Sequence, residues 1–204
     1  MPASPPLTAE QLRSLKEIGY LGMGKATSAL SQLLGYPLTL TISRVSILPL
    51  EQIPAHIGGK ERVVVGLFLK VRGDVTGHML ILLSRKSVAS ILRLLTGKKG
   101  EVGPILSEEE MSVLKEMGNI LASAYLSALG NHLKIPLIPS IPGLAFDMAG
   151  AVVDHLLIEL GKKEREAMIV ETHFEAPGED ISGRLLLFVD HSSMSLLLSS
   201  PPPL

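Results

Sequence analysis

The chain repeats itself, and the repeat narrows the folds open to it. A displacement of 99 positions carries Thr8 onto Ser107, Leu15-Lys16-Glu17 onto Leu114-Lys115-Glu116, and Gly19 onto Gly118. The same displacement carries Ser28-Ala29-Leu30 onto Ser127-Ala128-Leu129 and Pro37-Leu38 onto Pro136-Leu137. Farther along the displacement is 106, where Gly73-Asp74-Val75-Thr76-Gly77 answers Glu179-Asp180-Ile181-Ser182-Gly183 and Met79-Leu80 answers Leu185-Leu186. The difference places seven extra residues between the first and second strands of the second half, where 144–160 can hold an additional helix. Self-similarity at a fixed period predicts copies of one supersecondary unit.

Each copy reads helix–strand–hairpin–helix. Thr8 and Gln11 form a capping box ahead of an apolar-periodic run that Gly35 closes, with Pro37 just beyond. Residues 38–48 alternate as a strand, 52–59 read as a loop or short helical turn, and 62–71 and 75–83 as a hairpin around Arg72-Gly73-Asp74. An amphipathic helix over 84–96 ends at Gly97, and 98–100 is the linker. Ser107 and Glu110 repeat the capping box, and 192–198 is a shortened copy of the helix at 84–96. Three strands are too few to be stable alone. The expected fold class is therefore α+β: internally duplicated helix–strand–hairpin–helix units, about 8–97 and 107–198, forming one domain. The units share one roughly six-stranded sheet, with two long helices side by side and related by a pseudo-twofold axis.

Composition removes several function classes. With 204 residues, 46% hydrophobic and a mean hydropathy of +0.36, the chain can bury a real core and is not disordered. Aromatic residues make up 3% and Trp is absent, which argues against base-stacking nucleic-acid modules and aromatic sugar platforms. A net charge of −1 sets up no field that would gather nucleic acid or an anionic membrane. No cysteine is present, so thiol catalysis, Cys-ligated zinc and disulfides are excluded. The N-terminus lacks a basic n-region and an apolar h-region, and the apolar run at 63–69 is too short to span a bilayer. A cytoplasmic protein without membrane insertion is expected.

Several apparent motifs lead nowhere. Gly19 to Thr27 falls one residue short of a phosphate-binding G-x-x-x-x-G-K-[ST] loop, because Ala26 stands where the hydroxyl should be, and the run lies inside a helix. The histidines at 56, 78, 132, 155, 173 and 191 have no metal-ligand spacing. Asp147 and Asp154 could face the same way on the inserted helix, but a hydrolase built on them would need a closed pocket. No Ser sits in a nucleophile elbow.

The second long helix is different. At 100° per residue Ser112, Glu116, Asn119, Ser123 and Ser127 fall within about 80° of one another, while Leu114, Met117, Leu121, Tyr125 and Ala128 point away. Most such polar stripes serve solubility alone. Here Gly118 and Asn119, both poor helix formers, stand side by side in mid-helix, which a face selected only for helix stability would avoid. The corresponding residues of the first half are Arg13, Glu17 and Tyr20, so one carboxylate is kept and the carboxamide is lost.

Ser112-x₃-Glu116-x₂-Asn119, with Pro142 after twenty-two intervening positions, resembles the signature of the CheC/CheX/FliY family of bacterial chemotaxis phosphatases. Leu15-Lys16-Glu17-Ile18-Gly19, Arg44 to Leu50, and the segments 75–83 and 91–97 extend the likeness over nearly the whole chain, most like the CheC branch. The resemblance implies hydrolysis of the aspartyl phosphate of the response regulator CheY. Glu116 and Asn119 would be the catalytic pair and Ser112 and Pro142 supporting residues. No cofactor of its own is implied, since Mg²⁺ comes with the regulator. The first copy departs from the pattern at Arg13, Tyr20 and Ser43 and keeps only Glu17, so one working centre is expected. The rival reading is a non-catalytic adaptor of the same family, a flagellar-switch component or a partner of the deamidase CheD.

Overall fold

The computed structural model describes residues 8–53, 55, 62–97, 103, 105–161 and 166–198. The elements are, in order, α1 (Ala9–Leu34), β1 (Thr39–Pro49), a 3-10 turn (Leu50–Gln52), β2 (Val63–Gly73), β3 (Gly77–Ser84) and α2 (Arg85–Thr96). They continue as α3 (Glu108–Leu133), β4 (Leu137–Pro139), β5 (Gly143–Met148), α4 (Ala149–Gly161), β6 (Glu166–Ala176), β7 (Ile181–Val189) and α5 (His191–Leu198).

Both long helices run for 26 residues and start from the same device. The Gln11 amide donates to the Thr8 hydroxyl (3.1 Å) while the Thr8 amide donates to the Gln11 side chain (2.9 Å). Ser107 and Glu110 do the same at 3.2 and 2.7 Å. Each exchange satisfies amides that the first turn otherwise leaves without a partner. At the far ends, Gly35 and Lys134 take left-handed conformations (φ 64° and 58°) that stop the helices.

All the strand pairs are antiparallel, in the order β1-β6-β7-β3-β2, and β4 and β5 both pair with β2 beyond. Exchanging the two halves leaves this order unchanged, with β7 and β3 at the centre. Among the described residues the sheet has seven strands rather than six, because the last rank is split. Pro139 and Pro142 lack the amide that a continuous ladder needs, so β4 stops and β5 restarts along the same neighbour. Ser140 patches the gap: its amide donates to the Lys70 carbonyl (2.8 Å), and the Lys70 amide donates to the Ser140 hydroxyl (2.9 Å).

The inserted stretch is only partly helical. Residues 143–148 form β5, and the helix occupies 149–161. It gives the sheet a second covered face. Met79, Ile81 and Leu83 of β3 join the core under α1 and α3, whereas Leu80 and Leu82 join a smaller core under α4 with Val152, Val153 and Leu156. A strand buried on both faces reads as an unbroken apolar run, which is why β3 shows no polar alternation.

Candidate functional site

The back of α3 builds the site by anchoring it. Leu114, Met117, Leu121 and Tyr125 are buried in the main core, while Ala128 is half-buried. Gly118 is buried as well, and a Cβ added there would stand 3.1 Å from Leu67 Cδ1 on β2. Its counterpart Gly19 would bring a Cβ to 2.8 Å from Ile42 Cδ1 on β1. Gly118 therefore owes its place to the close approach of helix and sheet. The mid-helix Gly-Asn pair is not jointly a mark of function, and Asn119 carries that argument alone.

The front of α3 presents Ser112 and Glu116 exposed and Asn119 half-buried. The capping box fixes where the helix begins, and the buried stripe fixes its rotation, so these three positions share one face at one-turn spacings. Among the described residues, neither the Glu116 carboxylate nor the Asn119 carboxamide has a hydrogen-bond or ion-pair partner. α3 packs against β4 and β5, and Pro142 is buried in the short link between those two strands. Pro142 thus lies between two strands that the helix of Asn119 touches.

The equivalent face of α1 is arranged otherwise. Arg13 Nε donates to Glu17 Oε1 at 2.9 Å, and that bond and charge raise the pKa of the exposed guanidinium. Tyr20 is 53% exposed. The carboxylate shared with the second half is thus tied to its own helix, while Glu116 is not. The side chain of Ser43 lies outside the described residues.

The other sequence features fall apart in space. The stretch from Gly19 to Thr27 lies within α1, where the Thr27 hydroxyl donates to the Met23 carbonyl (2.6 Å). Asp147 is exposed on β5 with its carboxylate accepting from the Met148 amide (2.7 Å), and Asp154 is exposed on α4. Two open positions of this kind do not form the enclosed pair a hydrolase would use. Among the described residues no three His, Asp or Glu side chains gather as metal ligands, and no helix is long and apolar enough to cross a membrane. His56 lies outside the described residues. What the sequence reading missed is an apolar edge beside Pro142, where Ile138 and Ile141 are 61% and 91% exposed. An isolated Ile between Ser140 and Pro142 gives no periodic signal to find it by.

No family model matches the chain. It is, however, 31% identical over 192 residues to the CheY-P phosphatase CheC of Bacillus subtilis, covering 92% of each protein. The chain belongs to the CheC/CheX/FliY family. Its fold is that of Thermotoga maritima FliY, with a TM-score of 0.69 at 22% identity, covering 94% of this chain and 95% of the other. The fold also extends to FliM as seen in the Helicobacter pylori FliG–FliM complex, with a TM-score of 0.65 at 12% identity over 95% and 100% of the two chains. The face of α3 carries Ser112, Glu116 and Asn119, where α1 carries Arg13, Glu17 and Tyr20.

Proposed function

We propose that this protein hydrolyses the aspartyl phosphate of the response regulator CheY at the front of α3. The observation that carries the reading is the uncommitted Glu116 and Asn119, one turn apart on an anchored helix, in a chain related to CheC along its length. The regulator brings its own Mg²⁺ and Lys, so the helper's task is to place water. Phosphoryl transfer asks little covalent work of a protein, and positioning and electrostatics do most of it. The Asn119 carboxamide can accept a hydrogen bond from water with its oxygen and donate one with its nitrogen, holding the water in line with phosphorus. Glu116 as a general base would be repelled by the phosphoryl group, so its role is to pair with the regulator's Lys and fix the complex. Release of inorganic phosphate from phosphorylated CheY tests the reading, and no acceleration over CheY alone would overturn it.

Two results should follow. Glu116→Ala weakens the complex together with turnover, because a docking ion pair acts on association and lifetime. Titration against CheY carrying a stable phosphoryl analogue checks this, and unchanged affinity counts against the docking role. One regulator binds per chain, because at the other face Glu17 is held by Arg13, whose cation opposes a regulator Lys. Stoichiometry by calorimetry and turnover of the Glu116→Ala/Asn119→Ala double variant check that. Two regulators per chain, or activity that persists until Glu17 is also removed, would make α1 a second centre.

The adaptor reading draws its support from the fold shared with FliM. It predicts binding to a flagellar-switch component or to CheD with no phosphate release, so the same assay separates the two.

A further inference from the structure

A cleft of about 710 Å³ opens on the α4 side of the sheet, beneath the link that joins β4 to β5. Its polar wall comes from β2 and β3. Lys70 and Arg72 are two positions apart on one strand and so share a face, and the register sets His78 directly opposite Lys70. Its apolar floor is Phe68 and Leu156. The Phe68 ring lies across the start of β5, where a Cβ on Gly143 would come within 2.3 Å of it. The remaining wall is Ser140 and Ile141 of the link itself. Among the described residues that line the cleft there is no carboxylate.

The other large cleft, about 750 Å³, lacks this asymmetry. There Arg184 donates to Glu171 (3.2 Å), His173 is bonded to the same carboxylate (3.1 Å), and Glu175 stands on the wall. Two of its basic side chains thus share one carboxylate, and a second acid lies beside them. The first cleft combines apolar walls with the basic side chains of Lys70 and Arg72, at a volume usual for small-molecule sites.

We propose that the cleft under the β4–β5 link binds a small amphipathic anion. Lys70 and Arg72 hold its carboxylate, sulfonate or phosphate group, and its apolar body lies on Phe68 and Leu156. Arg72 supplies the planar fork suited to such groups, and Lys70 a second charge beside it. The occupant also touches the link, which Ser140 clamps to Lys70 through two hydrogen bonds and which carries Pro142. Binding therefore restrains the link that carries Pro142. That consequence for catalysis rests on the proposed phosphatase reading, whereas binding itself does not.

The test uses 8-anilino-1-naphthalenesulfonate, an amphipathic anion that fluoresces when it leaves water, with the intact folded chain and no regulator present. Saturable binding of one probe per chain is expected. Lys70→Gln/Arg72→Gln should weaken it by about tenfold or more, and the uncharged analogue N-phenyl-1-naphthylamine should bind weaker by a similar factor. Arg184→Gln in the other cleft should leave it unchanged. Circular dichroism establishes that each variant is folded, and Lys70→Arg, which keeps the charge, should retain binding. The proposal is overturned by absence of saturable binding, by wild-type affinity in the folded double variant, by equal affinity for the uncharged probe, or by loss of binding in Arg184→Gln. None of these outcomes depends on phosphate release, so failure here and failure of the phosphatase reading are told apart.

Discussion

Asn119→Ala is expected to slow phosphate release from phosphorylated CheY by about 10²–10³-fold, the usual consequence of losing one group that positions the transition state. Affinity for the regulator should stay near that of the unaltered chain, because docking is assigned to Glu116. The separation follows from the geometry. Asn119 is half-buried on the front of α3 with no partner among the described residues, so its carboxamide is available to water, and Ala removes it without exposing a buried stripe. The helix should persist, since its cap lies at Ser107 and its anchor at Leu114, Met117 and Leu121. Single-turnover release measured alongside binding resolves the two quantities. A rate within a few-fold of the unaltered chain would show that Asn119 does not hold the water, and an equal fall in affinity would move it to docking.

The largest effect on stability is expected at Tyr125. The residue is 1% exposed, and its ring rests on Gly22 of α1, where an added Cβ would lie 2.8 Å from Cε2. That contact sets how closely the two long helices approach. Tyr125→Ala removes a whole buried ring and should cost about 3–5 kcal/mol, lowering Tm by roughly 6–20 °C for a chain of this size. Tyr125→Phe keeps the volume and should cost under about 1.5 kcal/mol. Urea and thermal unfolding measure both. A loss below about 1 kcal/mol in the Ala variant would mean that the ring does not fill the α1–α3 interface. The phenol adds a second signature. Burial pushes its pKa well above the ordinary value, so the folded state keeps the neutral form. The stability this gives the folded chain is intact below about pH 10, where the unfolded phenol ionises, and falls as pH rises beyond that. The Phe variant should lack this component of alkaline destabilisation.

Much of the architecture was legible because its determinants are local. The Thr8–Gln11 and Ser107–Glu110 boxes each span four residues, so both helix starts could be placed from sequence, and the periodic stripes gave the buried faces. The repeat led to one shared sheet with two long helices side by side, but the rank order of its strands came only from the tertiary structure.

The residues of the α3 face belong to the same local class. Ser112, Glu116 and Asn119 share a helix, and a helix fixes their relative directions whatever it packs on. Their chain neighbour Gly118 was misread for the complementary reason: its role depends on Leu67, on a strand that local pattern cannot bring beneath it.

By itself, then, the sequence determined the two capped helices, their polar and apolar faces, the family, and the inequality of the two halves, all properties of residues a few positions apart or of one half compared with the other. Only the tertiary structure decided the rest. It split the last rank of the sheet at Ser140 and set Pro142 between two strands that α3 touches. It also gathered Lys70, Arg72 and His78 beneath Ser140. Most of these depend on strand register and on helix-to-sheet distance, set by packing between segments as many as 70 positions apart, and no periodicity along a single segment encodes them.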